Sequence, residues 1–100
     1  MKAEITQTDN KVMVSLQGRL DTVTSSEFEK SLAPYFAIYE IELHLDCQEM
    51  DYISSAGLRV VLTIHKNITG KGGRFILHNL TSEVRSVFDM TGFSRILTIE

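Results

Sequence analysis

Ile41-Glu42-Leu43-His44-Leu45-Asp46-Cys47-Gln48-Glu49-Met50-Asp51-Tyr52-Ile53-Ser54-Ser55-Ala56-Gly57-Leu58-Arg59-Val60-Val61-Leu62 changes period part-way along. Ile41, Leu43 and Leu45 alternate with Glu42, His44 and Asp46, the period-two pattern of a half-buried strand. From Ser54 or Ser55 the apolar positions shift to helical spacing, with Leu58, Val61, Leu62, Ile64 and Ile68 on one face, and predict a helix to about Asn67. Residues 47–53 between them have neither period and are expected to form a loop. A strand passing into a helix is half of a βαβ unit, which points to an α/β fold.

The rest of the chain extends the alternation in both directions. Upstream, residues 3–8 and 11–17 read as two strands, and Asp9-Asn10 between them tolerates the left-handed backbone of a tight hairpin turn. Gly18-Arg19-Leu20-Asp21 closes the second strand. Thr24-Ser25-Ser26-Glu27 has the spacing of a capping box. A helix carrying Phe28, Leu32, Tyr35 and Phe36 follows, which Pro34 should end near Leu32 or Ala33, or kink. Downstream, Gly70-Lys71-Gly72-Gly73 stops the long helix, and Phe75, Ile76 and Leu77 make a strand. Thr81-Ser82-Glu83 opens a third helix holding Val84, Val87, Phe88 and Met90, Gly92 ends it, and Ile96, Leu97 and Ile99 make a last strand. The order is β-β-α-β-α-β-α-β: one α/β domain over residues 1–100, with right-handed crossovers, a largely parallel sheet and an antiparallel N-terminal hairpin.

Bulk properties narrow the functional classes. Of 100 residues 43% are apolar and 23% charged, ordinary for a globular domain, and this length suits one core. The net charge of -3 comes with scattered basic residues and no positive stripe, against nucleic-acid binding. A single cysteine, Cys47, permits no intrachain disulfide. No signal-peptide run and no stretch near the roughly 20 apolar residues of a membrane span is present. A cytoplasmic protein without membrane insertion is expected.

Motifs for chemistry are mostly absent. His44, Cys47, His65 and His78 show no zinc-site spacing, so no metal is expected. The glycines at 70–73 follow a helix and precede a strand, the reverse of a phosphate-binding loop, and no cofactor is expected. Neither serine of Ser54-Ser55 has the glycine two places earlier that a nucleophile elbow needs. No base or oxyanion pattern accompanies them, so the chain is not expected to be an enzyme. Yet two adjacent serines at a helix start stand where exposed amides and the helix dipole favour a phosphate. Ala56 and Gly57 are small enough to admit another protein to the hydroxyl. Plain N-capping, worth about 1 kcal/mol, is the competing explanation for either serine.

That segment, Tyr52 to Leu62, resembles the signature of STAS domains, the sulfate transporter and anti-sigma factor antagonist family. Gly18-Arg19-Leu20-Asp21 resembles the family's Gly-x-Leu-Asp after the second strand. Ile41 to Asp46 resembles its central strand, and Val84 to Gly92 its third helix and following turn. The resemblance implies an anti-sigma factor antagonist. In its unphosphorylated form such a protein binds an anti-sigma factor that is also a serine kinase, and so frees a sigma factor. ATP-dependent phosphorylation at the helix start ends the binding, and a phosphatase resets it. The phosphorylated serine corresponds to Ser55. Ser54, where some relatives have aspartate, leaves a second possible target. Asp21 matches an acidic position near the phosphorylation site, and Arg59 stands where some relatives have glycine. The implied partner-binding set is Asp21, Ser54, Ser55, Ala56, Gly57, Leu58 and Arg59. The alternative is a constitutive STAS adaptor subunit of a transporter or signalling assembly, with Ser55 only a cap.

Overall fold

The computed structural model describes residues 1–100. In chain order the elements are β1 (Lys2–Thr8), β2 (Lys11–Leu20), α1 (Thr22–Leu32), a 3-10 turn (Ala33–Ala37), β3 (Glu42–Ile53), α2 (Ser55–Gly70), β4 (Arg74–His78), α3 (Ser82–Thr91), a second 3-10 turn (Phe93–Arg95) and β5 (Thr98–Ile99). The five strands lie side by side in sequence order. β1 is antiparallel to β2, with Thr8 opposite Lys11, so Asp9-Asn10 is the hairpin loop; Asp9 takes the left-handed conformation at φ 56°. Every later pair is parallel, the mixed sheet expected from the element order.

One apolar core joins Val12, Val14 and Leu16 of β2, Leu43 and Leu45 of β3 and Phe75 and Leu77 of β4 to Phe28 of α1, Val61 and Ile64 of α2 and Val84 and Phe88 of α3. Side chains alternate across a strand, so all three helices cover the same face. The opposite face, which no helix covers, mixes the polar Ser15, Glu42 and His44 with Met13 and the buried Ile76. No helix is long and apolar enough to cross a membrane.

Several boundaries differ from the sequence expectation, beyond a lengthening of β2 to Leu20 and of β4 to Arg74–His78. Residues 47–53 are strand, not loop: β3 runs on beside β2 to the pair Leu20–Ile53. Register shifts at Ser15/Gln17 and Gly18/Arg19 put the buried positions of this half at Cys47, Met50 and Ile53. Spaced by three, they hide the strand's period of two. α1 starts earlier than Thr24, because Asp21 is its N-cap and Thr24 is the third helical residue of the capping box. α2 extends to Gly70, and the turn to β4 uses Gly72 at φ 74°. The last strand is only Thr98–Ile99, since the chain after Gly92 (φ 82°) makes a 3-10 turn that leaves Ile96 exposed and Leu97 buried. Pro34 acts as expected: α1 stops at Leu32, and the proline sits in the first turn of the 3-10 segment. Met90, counted with the apolar face of α3, is instead exposed.

Candidate functional site

β2 and β3 end level with each other, at Leu20 and Ile53, and each passes at once into a helix. The Ser54 amide donates to the Leu20 carbonyl at 2.9 Å, which fixes the start of α2 against the end of β2. Two helix N-termini therefore stand side by side at the carboxyl edge of the parallel strands. Their unpaired amides and dipole ends favour negative charge there. Ligand sites in open α/β sheets tend to lie at this edge.

Each N-terminus has a side chain satisfying its amides. Asp21 Oδ1 accepts from the amides of Val23 at 3.1 Å and Thr24 at 3.0 Å, while the Asp21 amide donates to Thr24 Oγ1 at 2.8 Å. The Thr24 hydroxyl proton has two acceptors in reach, the Arg19 carbonyl at 2.7 Å and Asp21 Oδ1 at 3.0 Å. The Thr24 amide, then the Thr24 hydroxyl, hold the Asp21 carboxyl below its ordinary value, with smaller help from Val23 and Arg19. Asp21 is thus a fixed anion at the head of α1. Arg19, 3.8 Å from Asp21, lies over the Tyr52 ring with its guanidinium carbon 4.1 Å from the centroid.

On α2 the structure separates the two serines. Ser54, in extended conformation, is the N-cap, and its Oγ accepts from the Gly57 amide at 3.1 Å. Ser55 is the first residue of the helix, exposed, and its hydroxyl makes no hydrogen bond within the chain. The capping role that either serine could have filled belongs to Ser54, so capping does not account for Ser55.

The residues expected around the partner fall into three groups by exposure. Ser55 and Arg59 are exposed, and Asp21, Ser54 and Ala56 are half-buried. Gly57 and Leu58 are buried. A Cβ on Gly57 would lie 2.5 Å from the Leu20 carbonyl oxygen and 2.8 Å from Ile53 Cγ1. The absence of a side chain at 57 therefore lets α2 approach the strand ends rather than leaving room above Ser55. Ala56 and Arg59 line a groove of about 310 Å³ between the first turns of α1 and α2, with Thr22, Ser26 and Glu29 opposite.

The histidines lie elsewhere. His44 and His78, on adjacent strands, meet Nδ1 to Nε2 at 2.7 Å, a contact that their separation in sequence conceals. Glu42 Oε1 accepts from His44 Nε2 at 2.7 Å; in the neutral tautomer of His44 that makes this bond, Nδ1 accepts from His78 Nε2. The same contact holds the Glu42 carboxyl below its ordinary value. No three potential ligands converge on a metal position. From His44, β3 runs on to Ile53 at about 3.3 Å per residue, so this pair is remote from the serines. Cys47 lies inside β3, fully buried, and burial followed by the nearby Asp46 charge pushes its thiol up to about 12.

A STAS domain model matches residues 2–100. The chain belongs to the STAS domain family. The expected resemblance is thereby shown across the whole length. Among STAS relatives, BtrV of Bordetella bronchiseptica, provisionally named an anti-sigma factor antagonist, is 35% identical over 99% of this chain and 85% of its own length. The anti-sigma-B factor antagonist of Bacillus subtilis is 26% identical over 99% of this chain and 90% of its own. The STAS fold seen here is also that of the Bacillus anti-sigma factor antagonist SpoIIAA. Its unphosphorylated form superposes with a TM-score of 0.82 at 20% identity, covering 99% of this chain and 88% of that one. Its phosphorylated form gives 0.76 at 19% identity, covering 99% and 91%.

Proposed function

We propose that this STAS domain is an anti-sigma factor antagonist whose binding is switched off by phosphorylation of Ser55. Unphosphorylated, it would bind a cytoplasmic anti-sigma factor that is also a serine kinase and so release a sigma factor; a phosphatase acting on phospho-Ser55 would restore it. The chain is the substrate of these enzymes and not itself a catalyst. The observation that carries the proposal is the state of Ser55: an exposed hydroxyl with no hydrogen-bond partner, in a helix turn already capped by its neighbour. The 35% identity to BtrV and the existence of SpoIIAA in two phosphorylation states support the role.

Physics makes one phosphate sufficient. It adds about -1.5 to -2 charges, and the capped first turn can carry that charge without unfolding. Inside a partner contact the dianion must be paired or hydrated, and a mismatched buried charge costs about 2 to 5 kcal/mol. Affinity would fall by roughly 30-fold or more. Asp21, an anion on the neighbouring helix start, gives any partner a fixed negative point beside the serine.

Intact-mass and fragment-ion analysis of protein purified from its host, combined with partner-binding assays of Ser55→Asp and Ser55→Ala, tests the proposal. A single phosphate on Ser55, weak binding by Ser55→Asp and tight binding by Ser55→Ala are expected. Protein that is unmodified under several growth conditions, with Ser55→Asp still binding, would select the constitutive adaptor instead.

A further inference from the structure

We infer that the outer edge of the second half of β3, facing α3, docks an extended, basic segment of a partner protein, which joins the sheet as an added strand. The observation behind this is an unfinished ladder. β4 ends at His78, and its pairing with β3 stops at Asp46. Residues 47–53 therefore pair only with β2, on their other side. None of the backbone hydrogen bonds outside the regular elements involves them. Of their backbone amides, only that of Gln48 is met by a side chain, Asp46 Oδ1 at 3.0 Å. A strand that is paired on one side presents its remaining amides and carbonyls as a template for another chain.

The space beside this edge is shaped for such a chain. Two depressions of about 370 Å³ and 140 Å³ run along it between β3 and the first turns of α3, sharing Asp51 and Glu83. Glu49, Asp51 and Glu83 line the first, while Tyr52, Val84 and Val87 line the second. No lysine or arginine borders either, and none of the three carboxylates is in an ion pair. The nearby cation, Arg19, is already engaged by Asp21 and Tyr52.

These facts specify the occupant. Side chains on a strand alternate, so a docked segment would set Lys or Arg against the carboxylates and an apolar residue against Tyr52 and Val87. A second copy of this chain adding the same edge would oppose carboxylate to carboxylate, and nucleic acid would be repelled by all three. Both register shifts place their extra residue in β3 itself, between Asp46 and Glu49 and at Asp51, so the edge is bent and a docked segment would pair with it over short runs rather than one continuous ladder. Docking here does not depend on the Ser55 switch. The edge ends at Ile53, so its occupant would adjoin the serine turn without covering the groove between α1 and α2.

The test is an NMR titration of the whole isotope-labelled chain with acetyl-Lys-Val-Lys-Ile-Lys-amide. Comparison peptides carry glutamate for every lysine, or N-methyl groups on alternate backbone nitrogens. Saturable shifts confined to residues 48–54 and 82–87 are expected, at millimolar or tighter affinity. The acidic peptide, and the basic peptide with the double variant Glu49→Lys/Glu83→Lys, should bind at least about tenfold more weakly. N-methylation should abolish binding. No saturable shift, shifts spread over other acidic surfaces, or undiminished binding of the N-methylated peptide would overturn the inference. Because the peptide controls leave the protein untouched, misfolding of the double variant could not mask the result.

Discussion

Replacing Gly57 with alanine opposes two effects of opposite sign. In an exposed helix the change would stabilise by up to about 1 kcal/mol through propensity. Here the new Cβ would lie 2.5 Å from the Leu20 carbonyl oxygen, 2.8 Å from Ile53 Cγ1 and 3.2 Å from Leu20 Cγ. Ile53 can turn its side chain aside. The carbonyl cannot move easily, because it belongs to a laddered strand and accepts the Ser54 amide at 2.9 Å. Restoring ordinary contact means moving the first turn of α2 back by roughly 0.5 to 1 Å, and overpacking of this kind costs about 1–3 kcal/mol. The net expectation is a loss of about 1–2 kcal/mol, near 4–8 °C in Tm for each kcal/mol in a domain of this size. Urea unfolding followed by circular dichroism measures it, with Gly70→Ala as the control. Nothing lies within 4 Å of a Cβ at Gly70, so that variant should be neutral or gain up to about 1 kcal/mol. If Gly57→Ala were as stable as the parent, close approach of α2 to the strand ends would not be what requires glycine there.

Ser54→Ala should lose about 1 kcal/mol with its cap, whereas Ser55→Ala should change stability by less than about 0.5 kcal/mol; equal losses in urea unfolding would contradict the assignment of the cap to Ser54. Asp21 has its folded carboxyl held below the ordinary 3.8. The folded chain thus gives up that proton more readily than the unfolded chain, and Asp21 adds stability that is present above the unfolded value and lost as pH falls through the folded one. The advantage of the parent over Asp21→Asn should be full at pH 6 and shrink below about pH 4; a gap independent of pH would exclude the carboxylate charge as its source. Cys47, buried and with its thiol pushed up to about 12, should react with a thiol reagent at pH 8 only as fast as the protein opens, and a fast stoichiometric reaction of the native chain would refute its burial.

Much of the fold was legible because strand and helix periods differ. Ile5, Val12, Val14 and Leu16 mark the hairpin, and the helical spacing after Ser55 marks α2. Legibility failed where a partner element set the local rule. The second half of β3 carries two extra residues relative to its partner β2, so its buried residues fall at 47, 50 and 53 and imitate no standard period. The start of α1 was misplaced because Thr24 suits both the cap and the third helical position; Asp21, whose carboxylate reaches two amides, is the residue that decides it. The serine pair was visible as a helix start, but two residues of equal capping ability cannot be ranked without the backbone. The His44–His78 contact depends on strand pairing alone, and no local signal announces it. The unfinished edge of β3 has the same origin: it follows from where β4 stops.

The fixed geometry of the serine turn bears on how information passes through this molecule. Ser54 holds the amide of Gly57, Gly57 is pressed against Leu20, and Leu20 receives the amide of Ser54 in return. Such a closed circuit has little slack to relay a change from residue 55 into the sheet. A mark placed there would be legible only to a molecule touching that spot, and a partner that does not reach the serine turn would be blind to it. Two associations could then be held by one small domain, one gated and one constant.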